Sequence, residues 1–449
     1  MLSKLLKLAW PIILARSAQS VIGFSDALMC APLGESSLAA VTTGGLNFFA
    51  LVIFPMGLAY ILQSFAAQFR GRGDLAAARR YGHYGLILAA FFLLLGLAAP
   101  LGVNTFLSWF PYTADVRDPM RAYLVIRLTC LGAVVATEVL GNWFGGLGNT
   151  RLHMMAGLVA MVLNVLLNYM LVAGHWGAPA MGVAGSALAS SIATWCGLLV
   201  LLWAFGTRKM TGKIEGPLNL RLSEFLRMLR FGVPHGFNWF LEFTAFWIFI
   251  TVVIAKLGTT VLAAFMVVMQ INSVSFMPAF GMSSAGAIMA GQAIGLGQKD
   301  DVPRVLARTV LITALWQGSV GLAYFLFPTQ LISLFAPGGT GADSMVAIGR
   351  TMLAVSACWQ LCDAVVITLS EILRAAGDTA WCLYARVILA WFMFMPTAYY
   401  VVSVRKMGYV AAMFCLMAYL TLLAVVFVWR FRSGAWRKID LTGAHEQIA

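Results

Sequence analysis

Long apolar runs, each ended by a short polar break, fill the chain from near its first residue to near its last. A helix needs ~20 mostly apolar residues to cross a bilayer. Gly, Pro and charged residues punctuate the runs. The breaks predict twelve helical spans, at roughly 8–30, 38–67, 84–103, 121–145, 154–173, 184–206, 231–255, 262–291, 309–333, 351–373, 381–403 and 408–429. Several are longer than a bilayer requires, which leaves room for tilt or for short turns outside it. The first run continues past Leu8 with no small-residue cleavage site, so it reads as a span and not as a signal peptide.

Composition removes the soluble reading. Hydrophobic residues are 61% of the chain and charged residues 10%, against about 25% charged in a soluble domain. So little polar surface does not cover a water-facing globule. The seven cysteines are an odd number, all in or at the ends of apolar runs, with neither paired C-x-x-C spacing nor a His cluster nearby. They read as small core residues, and no metal or disulfide is expected.

Charge sets the orientation. Alternate breaks hold 21 of the 30 Lys and Arg, among them Lys4, Arg70, Arg151, Arg227, Arg304, Arg374 and Arg430. The other breaks, counted generously, hold 6, and Arg16, Arg127 and Arg386 lie inside spans. The basic side faces the cytoplasm, so both termini are expected there, in a multi-pass protein of the cell (inner) membrane. The net charge of +13 is thus mainly a topology signal. Its dispersal over many short loops argues against nucleic-acid binding.

The two halves repeat each other. Leu33-Gly34 and Leu38-Ala39-Ala40 recur as Leu257-Gly258 and Leu262-Ala263-Ala264, at a shift of 224. Gln68, Gly71 and Gly73 recur as Gln292, Gly295 and Gly297 at the same shift. Pro11 recurs as Pro234 and Pro55 as Pro278, both at 223, and Gly148-Asn149-Thr150 recurs as Gly377-Asp378-Thr379 at 229. Six spans per repeat is an even number, so both halves enter the membrane from one side and the repeats are parallel. The expected fold is an all-α integral membrane protein, with twelve transmembrane helices in two parallel-repeat six-helix lobes around a central cleft. The lobes are placed at 1–206 and 229–449, the second with a short basic cytoplasmic tail, and a cytoplasmic linker at 207–228. This is the architecture of an alternating-access carrier.

Gly148-Asn149-Thr150-Arg151, then Asn164-x-x-x-Asn168-Tyr169, then Gly182-Val183-x-Gly185-x-Ala187, stand in order along the first half. Phe24-Ser25-Asp26 with Leu33-Gly34 opens that half, and Leu373-Arg374-x-x-Gly377-Asp378-Thr379 follows the tenth span. Together, over nearly the whole length, these resemble the MATE (multidrug and toxic compound extrusion) family. The major facilitator superfamily also has twelve spans in two halves, and Arg70-Gly71-Arg72-Gly73-Asp74 mimics one of its loops. The copy at Gly295-Leu296-Gly297-Gln298-Lys299 keeps a different spacing, and the connection between the halves is short. A lipid-linked saccharide flippase of the same wider superfamily remains a second reading.

Charges at membrane depth cost about 2.5–3.5 kcal/mol each on insertion scales, which makes them functional candidates. Five acids fall inside spans: Asp26, Glu138, Glu242, Asp363 and Glu371. Asp26 has no basic residue within two turns, and Asn164 and Asn168 share one helical face that suits them as partners. Such a group holds a proton or a small cation through oxygens. The resemblance implies a polar cluster in the first lobe from this acid and this Asn pair, which Ser186 is placed to join. A structural network between the first and fifth spans is the other reading.

Glu242 and Asp363 form the corresponding pair in the second lobe, with Phe240, Phe243, Trp247 and Trp359 among the neighbouring rings. Carboxyls in such company suit proton exchange and, by charge and cation–π contact, an organic cation. The resemblance implicates the pair in cation coupling and drug binding. Trp359 stands where some members have a Tyr, which removes one oxygen a sodium ion would use. The other reading for either acid is an ion pair with an Arg of a neighbouring span. At the shifts given, Asp26, Glu242 and Asp363 correspond to Ile250, Ala18 and Val134, so the acids are not duplicated with the scaffold. Glu371 and Arg374, three apart, read as an intrahelical ion pair whose loss should matter little. Glu138 has Arg16 or Arg386 as a partner; the sequence does not choose.

No nucleotide-binding P-loop is present, and the five His residues are scattered, so neither ATP drive nor an enzyme's clustered base and nucleophile is expected. The expectation is a monomeric secondary antiporter that exports small amphipathic, often cationic compounds in exchange for H+ or Na+, with no cofactor and no catalytic or structural-metal residues. Protons are the favoured ion. The reading from a different class is a non-transport membrane protein.

Overall fold

The computed structural model describes residues 1–207, 219–335 and 342–443. Most of the expected linker, at 208–218, and the end of the tail, with His445, lie outside the described residues. Among the described residues there is no strand. The long apolar helices are α1 (Leu2–Leu33), α2 (Glu35–Arg72), α3 (Leu75–Ser108), α4 (Ala114–Thr129 and Leu131–Gly146), α5 (Thr150–Ala173) and α6 (Gly182–Gly206), then α7 (Leu222–Leu257), α8 (Thr259–Gly295), α9 (Lys299–Leu326), α10 (Asp343–Ala376), α11 (Thr379–Val404) and α12 (Tyr409–Arg432). Among the described residues eleven helices are long and apolar enough to cross a membrane, and twelve when the two arms of α4 count as one span.

Two expected spans differ in detail. The fourth is not one straight helix: its arms meet at Cys130 with a bend of 48°. The ninth does not reach residue 333. It stops at Leu326, and Pro328 opens a separate short helix, Pro328–Ser333. Proline disfavours helical backbone at the residue before it, and Phe327 accordingly leaves the helical region, at φ −124°.

By contacts the chain forms two units, Trp10–Gly236, and Phe237–Ala449 together with Met1–Ala9. In the first, α4 packs along α2, α3 and α6, and α5 lies on α6. In the second, α10 packs along α8, α9 and α12, and α11 lies on α12. The same pairing scheme in both is the repeat seen in three dimensions. Close approach depends on small residues, as in other helix pairs in lipid. A Cβ placed on Gly132 of α4 would fall 2.6 Å from the Leu93 Cα of α3.

The repeated Gly-x-Thr motif has a mechanical role. Gly148 and Gly377 take left-handed backbone, φ 78° and 92°, which ends α4 and α10. The next amide closes each cap: Asn149 N donates to Phe144 O and Asp378 N to Leu373 O, both at 2.9 Å. This six-to-one bond marks a Schellman stop, and Thr150 and Thr379 begin the following helices.

The step in the repeat shift within the first helix of each half, from 223 at Pro11 and Pro234 to 224 at Leu33 and Leu257, also has a physical form. Helix α7 carries a π-helical stretch, Phe249–Ile254, and a π-turn absorbs an inserted residue. Glu242 precedes that stretch, so its shift is 223 and its counterpart is Gln19, which corrects the assignment to Ala18. Ile250, the counterpart of Asp26, lies within the stretch itself.

Candidate functional site

Asp26 sits in α1 seven residues before Leu33, with only 5% of its surface exposed. Asn164 and Asn168, one turn apart on α5, both point at it. Asn164 Nδ2 donates to Asp26 Oδ1 at 2.9 Å, and Asn168 Nδ2 donates to the same oxygen at 2.6 Å. The second oxygen accepts from Ser190 Oγ of α6 at 2.7 Å. Ser190 in turn accepts from Asn164 Nδ2 at 2.9 Å. Three helices of the first unit therefore close on one carboxylate, which makes no ion pair with a basic side chain among the described residues. A carboxylate offers about four acceptor positions, and three donors fill three of them.

The hydroxyl that completes the cluster is Ser190, not Ser186. Ser186 lies one turn earlier on α6, fully buried and turned to the Cys30 thiol instead of to Asp26. Reading α6 for hydroxyls four residues apart would have put both on one face. Buried Asn168 Oδ1 has no hydrogen-bond partner. A carboxylate with a free acceptor position, an amide oxygen and nearby hydroxyls is an oxygen-rich group able to hold a proton or a small cation.

The second unit is arranged differently. Glu242 is taken by Arg386 of α11 in a direct ion pair. Arg386 is buried, whereas the Glu242 side chain remains 43% exposed. Arg386 Nη2 also donates to Ser370 Oγ at 3.3 Å. The rings near Glu242 in sequence are spread around α7. Consecutive rings on a helix point to different sides, and here Phe246 packs on Phe265, Trp239 on Phe280, and Phe237 and Trp247 are exposed. Asp363 of α10 is half-buried and accepts from Gln317 Nε2 of α9 at 2.7 Å. It lies within electrostatic reach of Glu242 and Arg386. Trp359, one turn before it, is buried. Glu242 and Asp363 thus share a neighbourhood, but Glu242 carries a built-in counter-cation, the ion pair with an Arg of a neighbouring span that was its second reading.

The two members of that pair should respond unequally to substitution. Glu242→Gln strands a buried guanidinium, with an expected loss of about 1–3 kcal/mol of stability. Arg386→Gln leaves a half-exposed carboxylate that water or a proton can satisfy, and a smaller loss is expected. Thermal unfolding midpoints of the two purified variants give the comparison; equal losses would contradict it.

Glu138 and Arg16 pair with each other. Arg16 Nη1 and Nη2 reach Glu138 Oε1 and Oε2 at 3.1 and 3.2 Å, Gln19 Nε2 donates to Oε1 at 3.3 Å, and Asn142 Nδ2 to Oε2 at 3.1 Å. Glu371 and Arg374 form the expected intrahelical pair at 2.6 Å, but both are buried. Glu371 is therefore not the mild position its place near a helix end suggested: a substitution there acts on a desolvated charge.

Comparison with known proteins adds three findings. The sequence profile of the MatE family matches residues 11–170 and 234–400. "Multidrug resistance protein NorM" of Vibrio cholerae serotype O1 is 29% identical, over 88% of this chain and 86% of its own length. "Probable multidrug resistance protein NorM" of Neisseria meningitidis serogroup B is 28% identical over 94% of this chain and 92% of its own. A crystal structure described as MATE in complex with MaL6 superposes with a TM-score of 0.88 at 20% identity, covering 98% of this chain and 97% of the other. A second, described as the outward-facing conformation of a multidrug resistance MATE family transporter, gives 0.87 at 20% identity, over 98% of this chain and 97% of the other.

Proposed function

The chain belongs to the MatE family of multidrug efflux transporters, and from that premise we propose that it is a secondary active antiporter whose coupling ion is held at Asp26. The ion enters down its gradient while an amphipathic compound leaves by alternating access, in a cell membrane with both termini in the cytoplasm. The observation that carries the reading is the state of Asp26. It is an intramembrane carboxylate with neutral donors from two neighbouring helices, no counter-cation among the described residues and an acceptor position to spare. Such a charge is costly in lipid and is retained where it binds something.

Glu242 contributes less to coupling in this proposal, because Arg386 already neutralises it. Asp363, with Gln317, is the second-unit carboxyl open to a proton or to a cationic group. Protons are favoured over sodium, since Trp359 supplies no oxygen beside Asp363 and all the partners of Asp26 are donors.

The test is efflux of a fluorescent cation from proteoliposomes under separately imposed gradients. A proton gradient should drive transport, and a sodium gradient alone should not. Sodium-driven transport at constant pH would reverse the choice of ion. Transport that persists without any gradient would defeat the antiport reading.

A further inference from the structure

Three arginines lie well inside the spans, and the structure treats one of them differently. Arg16 pairs with Glu138, and Arg386 pairs with Glu242. Arg127, on the first arm of α4, is paired with no carboxylate among the described residues. Its Nε and Nη1 are buried and have no hydrogen-bond acceptor. One face of the guanidinium lies over the Phe48 ring of α2, 4.5 Å from its centroid, a cation–π contact that holds the group in place. Tyr123, one turn earlier on α4, stands beside it. The ring of Tyr123 is itself fixed, packed against Gly44 of α2, where a Cβ would lie 3.0 Å from its Cδ1.

Tyr123 also feels the charge of Asp26. Chain geometry agrees with that proximity. Asp26 is seven residues from the end of α1 and Arg127 six beyond exposed Arg121 on α4. At 1.5 Å per residue both lie on the order of 10 Å in. Spans one and four have these ends on the same face of the membrane, so an unpaired cation and an unpaired anion stand at similar depth in one six-helix unit. They do not neutralise each other directly.

We propose that Arg127 receives an acidic group of the transported compound, a carboxylate or phosphate ester, so that with Asp26 the first unit selects zwitterionic amphiphiles. This rests on the exporter reading above and narrows its substrate class. A guanidinium is suited to the task because its fixed fork of N–H donors matches a carboxylate or phosphate. Phe48 beneath it covers one face, and the edge carries two N–H groups whose hydrogen-bonding capacity is unused.

A matched pair of dyes tests it. Rhodamine B and its ethyl ester share a fluorophore and a positive charge; only the first has a free carboxylate. Binding to the purified full-length chain is read by fluorescence polarisation. Arg127→Gln should weaken rhodamine B at least about tenfold, as expected for loss of a hydrogen bond to a charged group, and leave the ester within about twofold. Arg127→Lys should fall between. In the unaltered protein, benzoate should compete with rhodamine B and not with the ester, a measurement that needs no variant to fold. Equal weakening of both dyes, or benzoate that displaces both or neither, would overturn the assignment. Displacement of rhodamine B by phosphatidylglycerol vesicles, but not by benzoate, would mean that Arg127 holds a lipid headgroup instead. If the unaltered protein binds neither dye, the exporter reading fails and this inference with it. If it binds both regardless of residue 127, only this inference fails.

Discussion

Asp26→Asn is expected to reduce transport at least about a hundredfold while the protein folds and inserts as before. The cluster explains both halves of that result. Asn164 and Asn168 donate to Asp26 Oδ1, and an asparagine oxygen in the same place still accepts from both. Ser190, which donates to Oδ2, is a hydroxyl and accepts as readily as it donates, so an amide nitrogen there keeps a partner. The helices lose no packing, and one charge leaves the membrane interior, which eases insertion. What disappears is the only negative charge among these neutral donors, and with it the attraction for a coupling cation or proton. A hydrogen bond to a charged group contributes about 1.5–3 kcal/mol, and a hundredfold corresponds to about 2.7 kcal/mol. Proteoliposome transport normalised to folded protein, alongside the thermal unfolding midpoint, is the measurement. Parent-like transport by Asp26→Asn, or failure to fold, would show that the cluster only joins α1, α5 and α6.

The Asp26 cluster was legible in the sequence because it depends on local rules. Two asparagines four apart share a helical face, and an acid with no base within two turns needs a partner from elsewhere. The spans were legible for a similar reason: an apolar run of sufficient length has one solution in lipid. The pair Glu371–Arg374 was legible by the same local rule, whereas the interhelical partners of Glu138 and Glu242 were not fixed by the sequence, because they are decided by which helix faces touch. Arg386 reaches Glu242 across 144 residues. The first half has no such pair to serve as a guide. At the shift of 229 the counterpart of Arg386 is Gly157, which packs against the backbone of Ala15 on α1, and the counterpart of Glu242 is Gln19. One scaffold thus brings its first and fifth helices together through a glycine in one unit and through an ion pair in the other. The bend at Cys130 was hidden as well, since no proline or glycine occupies that position, and the π-helical stretch of α7 left only a one-residue step in the repeat.

Glu138 presents the opposite case to Asp26, and its substitution should act on stability instead of transport. Two donors reach each of its oxygens: Arg16 Nη1 and Gln19 on Oε1, Arg16 Nη2 and Asn142 on Oε2. No acceptor position is left for a coupling ion, and the opposite charge is already in place. Glu138→Gln leaves the Arg16 guanidinium without its counter-charge at a site where Glu138 is 1% and Arg16 9% exposed. Removing one partner of a buried pair typically costs about 3–5 kcal/mol, whereas replacing both with well-packed apolar residues is often neutral. Glu138→Gln and Arg16→Met are therefore each expected to lower stability by about that amount. The double variant Arg16→Met/Glu138→Met should recover most of it, a strong coupling in a double-mutant cycle. Whatever protein of the double variant folds should transport at close to the parent rate. Denaturation of the four proteins in detergent gives the cycle, and transport per folded molecule gives the second axis. A double variant that is stable but does not transport would place Arg16 and Glu138 in the transport cycle, and the division of labour between the two carboxylates of this unit would then be wrong.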